Sequence, residues 1–151
     1  MVRLGIICIL ALGLAAAFSL AEENLDLKEV LPEAASFTPV KKGAEVLYYK
    51  AADKDGRLIG AVFEAKAKSY SEIDTLVGML KDGTLTAIKV LAQHETPGIG
   101  SRVANQEFTD RFRNIKDISH VQAISGATVS SQAVIDAVKK KAAEIKALLK
   151  E

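Results

Sequence analysis

Two short stretches in the second half of this 151-residue chain gather residue types able to hold or accept a ligand. The run Ser125-Gly126-Ala127-Thr128-Val129-Ser130-Ser131 puts small and hydroxylated residues directly ahead of a long helical pattern. A helix start carries unpaired N–H groups and the positive end of the helix dipole, so an anion has a reason to bind there. Three readings are open. The run is a turn and helix cap, with a Ser or Thr oxygen accepting from the first turn and Gly126 supplying an unusual backbone angle. Or it is an anion site, where Ser130, Ser131 and the free amides hold a phosphate. Or Thr128 is a nucleophile that becomes covalently loaded. A threonine hydroxyl needs an activating partner, and none is adjacent in sequence. His94 is a candidate partner in space. It opens the second stretch, His94-Glu95-Thr96-Pro97-Gly98-Ile99-Gly100, a loop by its proline and two glycines.

The elements that must position these stretches emerge from periodicity and turn chemistry. Asp26 to Ala35 is read as a short helix, with Asp26 as cap, Glu29 three residues on, and Leu27, Val30 and Leu31 on one face. Pro32 argues against its continuity, and Pro39 with Lys41-Lys42-Gly43 ends the segment. Glu45 to Ala52 and Arg57 to Ala65 predict a hairpin through Asp53-Lys54-Asp55-Gly56. Tyr48 and Tyr49 then face opposite sides, and Gly60 marks a bulge or a close backbone approach. Lys66 to Ser71 reads as a polar interruption. Ile73 to Leu80 and Thr84 to Ala92 predict a second hairpin through Lys81-Asp82-Gly83. A short helix from Asn105 or Thr109 would place Phe108 and Phe112 on one face. In the last helix Val134, Ala137, Val138, Ile145, Leu148 and Leu149 form the apolar stripe, with Lys139, Lys140, Glu144, Lys146 and Lys150 facing water. The fold class expected is α+β: a largely antiparallel sheet of consecutive hairpins packed against a long C-terminal helix. A βαβ nucleotide fold is not expected, because no glycine-rich turn joins a strand to a crossover helix.

Composition narrows the chemistry. Lys plus Arg is 20 against 19 for Asp plus Glu, which gives no reason to expect nucleic acid as a partner. Two His and one Cys leave no visible zinc or iron–sulfur constellation. The uncharged, apolar run from Leu4 to Ala21 comes after Arg3 and before Glu22, Glu23 and Asp26, an asymmetry that favours export of the downstream chain. Ser19-Leu20-Ala21 has the small-x-small form of a signal-peptidase site, so the run is either a cleaved signal or a retained anchor. Either way the domain is expected outside the cytoplasm: on the extracytoplasmic side of the cell membrane, or secreted or periplasmic after cleavage near Ala21.

Glu95-Thr96-Pro97-Gly98-Ile99-Gly100 and Ser125-Gly126-Ala127-Thr128-Val129-Ser130-Ser131, in this order, resemble the ETPG(L/I)G loop and the flavinylation motif of a known family. It is the FMN-binding domain of the G subunit of Rnf electron-transport complexes and the C subunit of sodium-pumping NADH:quinone reductase. Leu27-Lys28-Glu29-Val30-Leu31-Pro32-Glu33-Ala34 also resembles the stretch after the membrane helix of the Rnf subunit. The resemblance implies residues 1–21 as signal peptide or membrane anchor, 22–43 as a short helical connector and 44–151 as the FMN-binding domain. It implies FMN joined through a phosphoester to Thr128 by a separate flavin transferase that uses FAD, so the missing base need not lie in this chain. The cofactor-binding residues it implies are Thr128, Ser125, Gly126, Ala127, Ser130, Ser131, Glu95, Thr96, Gly98 and Tyr70, with no catalytic residue and no metal.

Two positions depart from the family pattern. Gln122 stands where an acid usually precedes the modified threonine, and Ser69-Tyr70-Ser71 replaces a usual Gly-Tyr-Gly. In the expected geometry Glu95 and Thr96 tune or position the flavin and Gly98 and Gly100 keep bulk away. Lys89 and Arg102 are read first as solvated surface charges, with stabilisation of an anionic flavin resting on charge alone. The implied function is electron transfer by covalently bound FMN as a subunit of a membrane-bound, ion-translocating oxidoreductase complex. Its partners would be the other subunits of that complex. The alternatives are a free-standing exported flavoprotein shuttle and a non-redox exported binding or assembly module without flavin.

Overall fold

A computed structural model describes residues 24–150. The apolar run at 4–21, read as signal or anchor, lies outside the described residues. Among those described, no helix is long and apolar enough to cross a membrane.

Five strands form one antiparallel meander in the order β1-β2-β3-β4-β5. They are β1 (Ser36–Lys42), β2 (Glu45–Ala52), β3 (Leu58–Lys68), β4 (Glu72–Leu80) and β5 (Leu85–Gln93). The expected hairpin turns close through their acids. Asp53 Oδ1 accepts from the amides of Asp55 and Arg57, both at 2.9 Å, and Asp82 Oδ1 accepts from the Thr84 amide at 2.9 Å. Gly56 and Gly83 supply the positive φ these turns need, +76° and +95°. Gly60 answers both expectations: the β2–β3 register shifts beside it, and a side chain there would strike the Met79 carbonyl.

The sheet corrects the sequence reading in two places. Residues 36–42 form an edge strand on β2, so the span 22–43 is not a helical connector throughout. Pro39 and the lysine pair conceal the strand, yet an edge tolerates proline and prefers charge. β3 also runs on to Lys68, through the stretch read as an interruption. There Glu64, Lys66 and Lys68 point outward while Ala65 and Ala67 are buried. Pairing to β4 is continuous from Gly60↔Leu80 to Lys68↔Glu72, so the β3–β4 turn is only Ser69–Ser71 with Tyr70 at its tip.

Both faces of the sheet are covered. On one lies α3 (Thr128–Leu148), whose Val134, Ile135, Val138, Ala142 and Ile145 pack with Phe63, Val77, Met79 and Leu85. The link between β5 and α3 folds into the same core. It includes the 3-10 turn Gly100–Ala104 and the short helix α2 (Gln106–Thr109), with Phe108 and Phe112 edge to face at 5.3 Å. Leu148, placed in the stripe by periodicity, is 39% exposed, and Ile135 takes a core position instead. On the other face lie the helical residues 24–30, here α1, which stop before Pro32 instead of running to Ala35 and hold Asp26 inside the helix, not at its cap. Leu27 and Val30, with Leu31 just after the helix, seat against Ala51, Val62, Leu76 and Ala87. Tyr48 and Tyr49 serve opposite faces, as the alternation predicts.

Candidate functional site

The start of α3, the β3–β4 turn and the loop after β5 meet at one end of the molecule. They enclose an open pocket of about 290 Å³ lined by Tyr70, Glu95, Thr96, Ile99, Gly100, Gly126, Ala127, Thr128, Val129 and Ser130. The sequence places these residues far apart, and the antiparallel meander brings their segments to the same edge.

The helix start differs from a capped one. Ala127 occupies the cap position, so no capping side chain accepts from the amides of the first turn. Ser131 works from the other side. Its hydroxyl donates to the Ala127 carbonyl at 2.7 Å and accepts from the Ile124 amide at 2.9 Å, closing the turn that Gly126 bends with φ +80°. Arg102 adds a bond from Nη1 to the Ser125 carbonyl at 3.0 Å, and Arg111 bonds the carbonyls of Gln122 and Ala123. The approach to α3 is thus held from behind. Thr128 and Val129 are left at the surface, and the amides of residues 128–130 precede the first i→i−4 bond, which the Ser131 amide makes to Ala127.

Glu95 is the centre of a second set of contacts. It is only 5% exposed, and both its oxygens are engaged. Oε1 accepts from the Ser71 amide at 2.8 Å and from Ser71 Oγ at 2.7 Å. Oε2 accepts from Ser130 Oγ at 2.5 Å and from Ser69 Oγ at 3.2 Å. Burial raises the pKa of this carboxyl, but the bonds from Ser130, Ser71 and Ser69 together outweigh it and hold the group below its ordinary value. Gly100 lies directly over the pair: a Cβ there would come within 2.6 Å of Ser130 Oγ and 2.8 Å of Glu95 Cβ.

Of the residues expected from sequence, Thr128, Gly126, Ala127, Ser130, Glu95, Thr96 and Tyr70 line the pocket. Ser125, Ser131 and Gly98 lie outside its lining. Gly98 answers a demand of the loop itself, with φ +72° and its amide bonded to Ser101 Oγ at 2.9 Å. The hydroxyls of Ser130 and Ser131 turn inward, which leaves the backbone amides and Thr128 as the anion-facing groups of this run. Lys89 is elsewhere, paired with Asp26 at 2.7 Å and Glu29 at 2.8 Å on the α1 face, and these bonds raise its pKa. That pairing favours a surface role for Lys89 over contact with a flavin. The residues missed by sequence reasoning are Ile99 and Val129, 52% and 54% exposed, which rim the pocket with the 79%-exposed Tyr70. Their signal was an apolar side chain inside a polar motif. Among the described residues no group of three or more His, Cys, Asp or Glu side chains could hold a metal ion.

Comparison with known proteins agrees on one family. A profile described as the FMN-binding domain matches residues 70–143. The G subunit of the ion-translocating oxidoreductase complex of Methanosarcina acetivorans is 39% identical, over 74% of this chain and 69% of that protein. The G subunit of the Na(+)-translocating ferredoxin:NAD(+) oxidoreductase complex of Acetobacterium woodii is 28% identical, over 74% of this chain and 68% of its own. Its counterpart in the proton-translocating ferredoxin:NAD(+) oxidoreductase complex of Clostridium ljungdahlii is 33% identical over 59% of this chain, with only 55% of its own length spanned. The crystal structure of Shewanella oneidensis NqrC shares the fold, with a TM-score of 0.53 at 19% identity, covering 78% of this chain and 73% of that one.

Proposed function

We propose that this chain, which belongs to the FMN-binding domain family together with the G subunits of ion-translocating oxidoreductase complexes, carries FMN covalently on Thr128 and relays electrons as one subunit of a membrane-bound complex. The observation that carries the reading is the pocket itself. It joins an exposed threonine, an uncapped helix start and a rim of exposed apolar side chains in one opening.

Each part fits a different part of the cofactor. The free amides of residues 128–130 suit a phosphate, because they are unpaired and stand at the positive end of α3. Thr128, at the surface, is reachable by a separate transferase, so a base inside this chain is not required. Its Oγ1 would take the flavin-phosphoryl group of FAD, the O–P bond forming as the pyrophosphate bond breaks, the hydroxyl proton passing to a base of the transferase and AMP leaving. Tyr70, Ile99 and Val129 offer the apolar contact a flat ring system needs, and Thr96 offers a polar one at the same rim. FMN, when bound, supplies reversible one- and two-electron chemistry; the protein fixes its position and shields part of it from water. The subunit setting, the other complex subunits as partners and the placement on the extracytoplasmic face are drawn from the relatives' names and from the apolar run at 4–21.

Thr128→Ala tests the assignment. Wild-type chain made alongside a flavin transferase should gain the mass of an FMN ester, and T128A should show only the polypeptide mass. Its thermal transition should stay within about 0.5 kcal/mol of wild type, because the lost side chain is exposed. A covalent flavin retained by T128A would remove this residue from the reading.

A further inference from the structure

We propose that Glu95, gripped by Ser69, Ser71 and Ser130, is a positioning residue that touches no cofactor atom and presents Thr128 by locking the β3–β4 turn to the start of α3. The proposal rests on the flavin reading of the pocket. A carboxylate offers about four acceptor sites on its two oxygens, and here each oxygen already receives two bonds from within the chain. Nothing is left over for a ring edge or a phosphate. Ser69 and Ser71 already share a turn, the Ser69 amide bonding the Ser71 carbonyl at 2.9 Å, but Ser130 is 35 positions from Glu95 and meets that turn directly only through a long 3.4 Å contact from Ser69 Oγ. Glu95 is their common point.

The consequences run outward in both directions. Ser130 is the third residue of α3, so fixing its side chain fixes the rotation of the first helical turn. That rotation decides where Thr128 and the free amides point. Ser69 and Ser71 flank Tyr70, so bonding both of them sets the turn that carries the most exposed aromatic of the rim. All three hydroxyls donate inward, so an acceptor-only group is required at their centre. Gly100 seals the arrangement, its bare Cα allowing the backbone to lie against Glu95 and Ser130.

Glu95→Gln keeps the size and replaces one acceptor oxygen with a donor, so it separates the bonding from the packing. Ser130→Ala cuts only the link to the helix. Full-length protein lacking flavin is compared by amide hydrogen exchange, and then incubated with FAD and a purified flavin transferase to follow FMN gain by intact mass. In E95Q the Ser71 amide should exchange at least tenfold faster and the initial rate of Thr128 modification should fall at least tenfold. In S130A the rate should fall while the Ser71 amide stays protected, a split that a general loss of stability would not produce. Unchanged modification rates in both variants, or unchanged Ser71 exchange in E95Q, would overturn the proposal. If E95Q fails to fold, S130A alone decides by the same split. A wild-type chain that takes no flavin, while E95Q still exposes Ser71, sinks the flavin reading and upholds the clasp.

Discussion

At the residue scale, the site turns on which way like side chains face. Thr128, Ser130 and Ser131 are near neighbours with the same chemistry, yet one is exposed and two are buried. The sequence located all of them, but their direction depends on Glu95 and Ile124, partners that only the fold supplies. Glu95 shows the same limit: its motif marks it as important, and its burial and saturation appear only in three dimensions. Its charge has a testable pH window. The folded pKa lies below the ordinary glutamate value of 4.5, so the clasp's contribution is fully present above that value. It is lost as pH falls through the lower, folded value. Everything bonded to the carboxylate is a serine hydroxyl or an amide, none of which titrates in this range, and the adjoining His94 is exposed. The Glu95 carboxyl shift monitored by NMR should therefore have its midpoint below 4.5, with the Ser71 amide moving alongside it. A midpoint above 4.5 would mean that burial outweighs the hydrogen bonds.

At the element scale, the two helices are attached by different means, and the sequence disclosed them unequally. The α3 stripe and the two central hairpins were legible because each carries its own period and turn residues. β1 was not, because an edge strand needs neither alternation nor freedom from proline. The end of β3 was hidden as well, since alanines alternating with lysines look polar until their small partners are seen buried. α1 was visible as a helix, but its docking on the second face of the sheet was not. That docking depends on Gly78, above which the Val30 carbonyl lies close enough to accept from Thr86 Oγ1. A Cβ on Gly78 would run into both groups. Gly78→Ala should therefore cost about 2 kcal/mol in denaturant unfolding and raise protease cutting around Leu27 to Ala34. The Lys89 pairs with Asp26 and Glu29 are partly exposed and would not compensate, since such pairs contribute about 0–1 kcal/mol. If G78A unfolds at the wild-type denaturant concentration, α1 is only loosely seated and the domain's working core is the α3 side alone.

At the scale of the whole molecule, three layers leave one end open. The sheet's two faces are covered by α1 and α3, so among the described residues exposed apolar side chains are few, and three of the large ones gather at a single pocket. Large apolar groups left in water around one opening mark a binding place rather than a core. If a flavin on Thr128 rests its ring against Ile99 and Val129, the ester alone does not immobilise it; the rim does. Ile99→Ser with Val129→Ser separates the two contributions. Both side chains are more than half exposed, so the double variant should keep its stability within about 1 kcal/mol and should still gain the full FMN mass. The ring, however, should move more freely on its tether, giving lower fluorescence anisotropy and greater access to iodide quenching than in wild type. Equal anisotropy and quenching in the two proteins would place the ring away from this rim. The exposed apolar side chains would then be free to meet another subunit, and the flavin would have to pass its electrons from a different face.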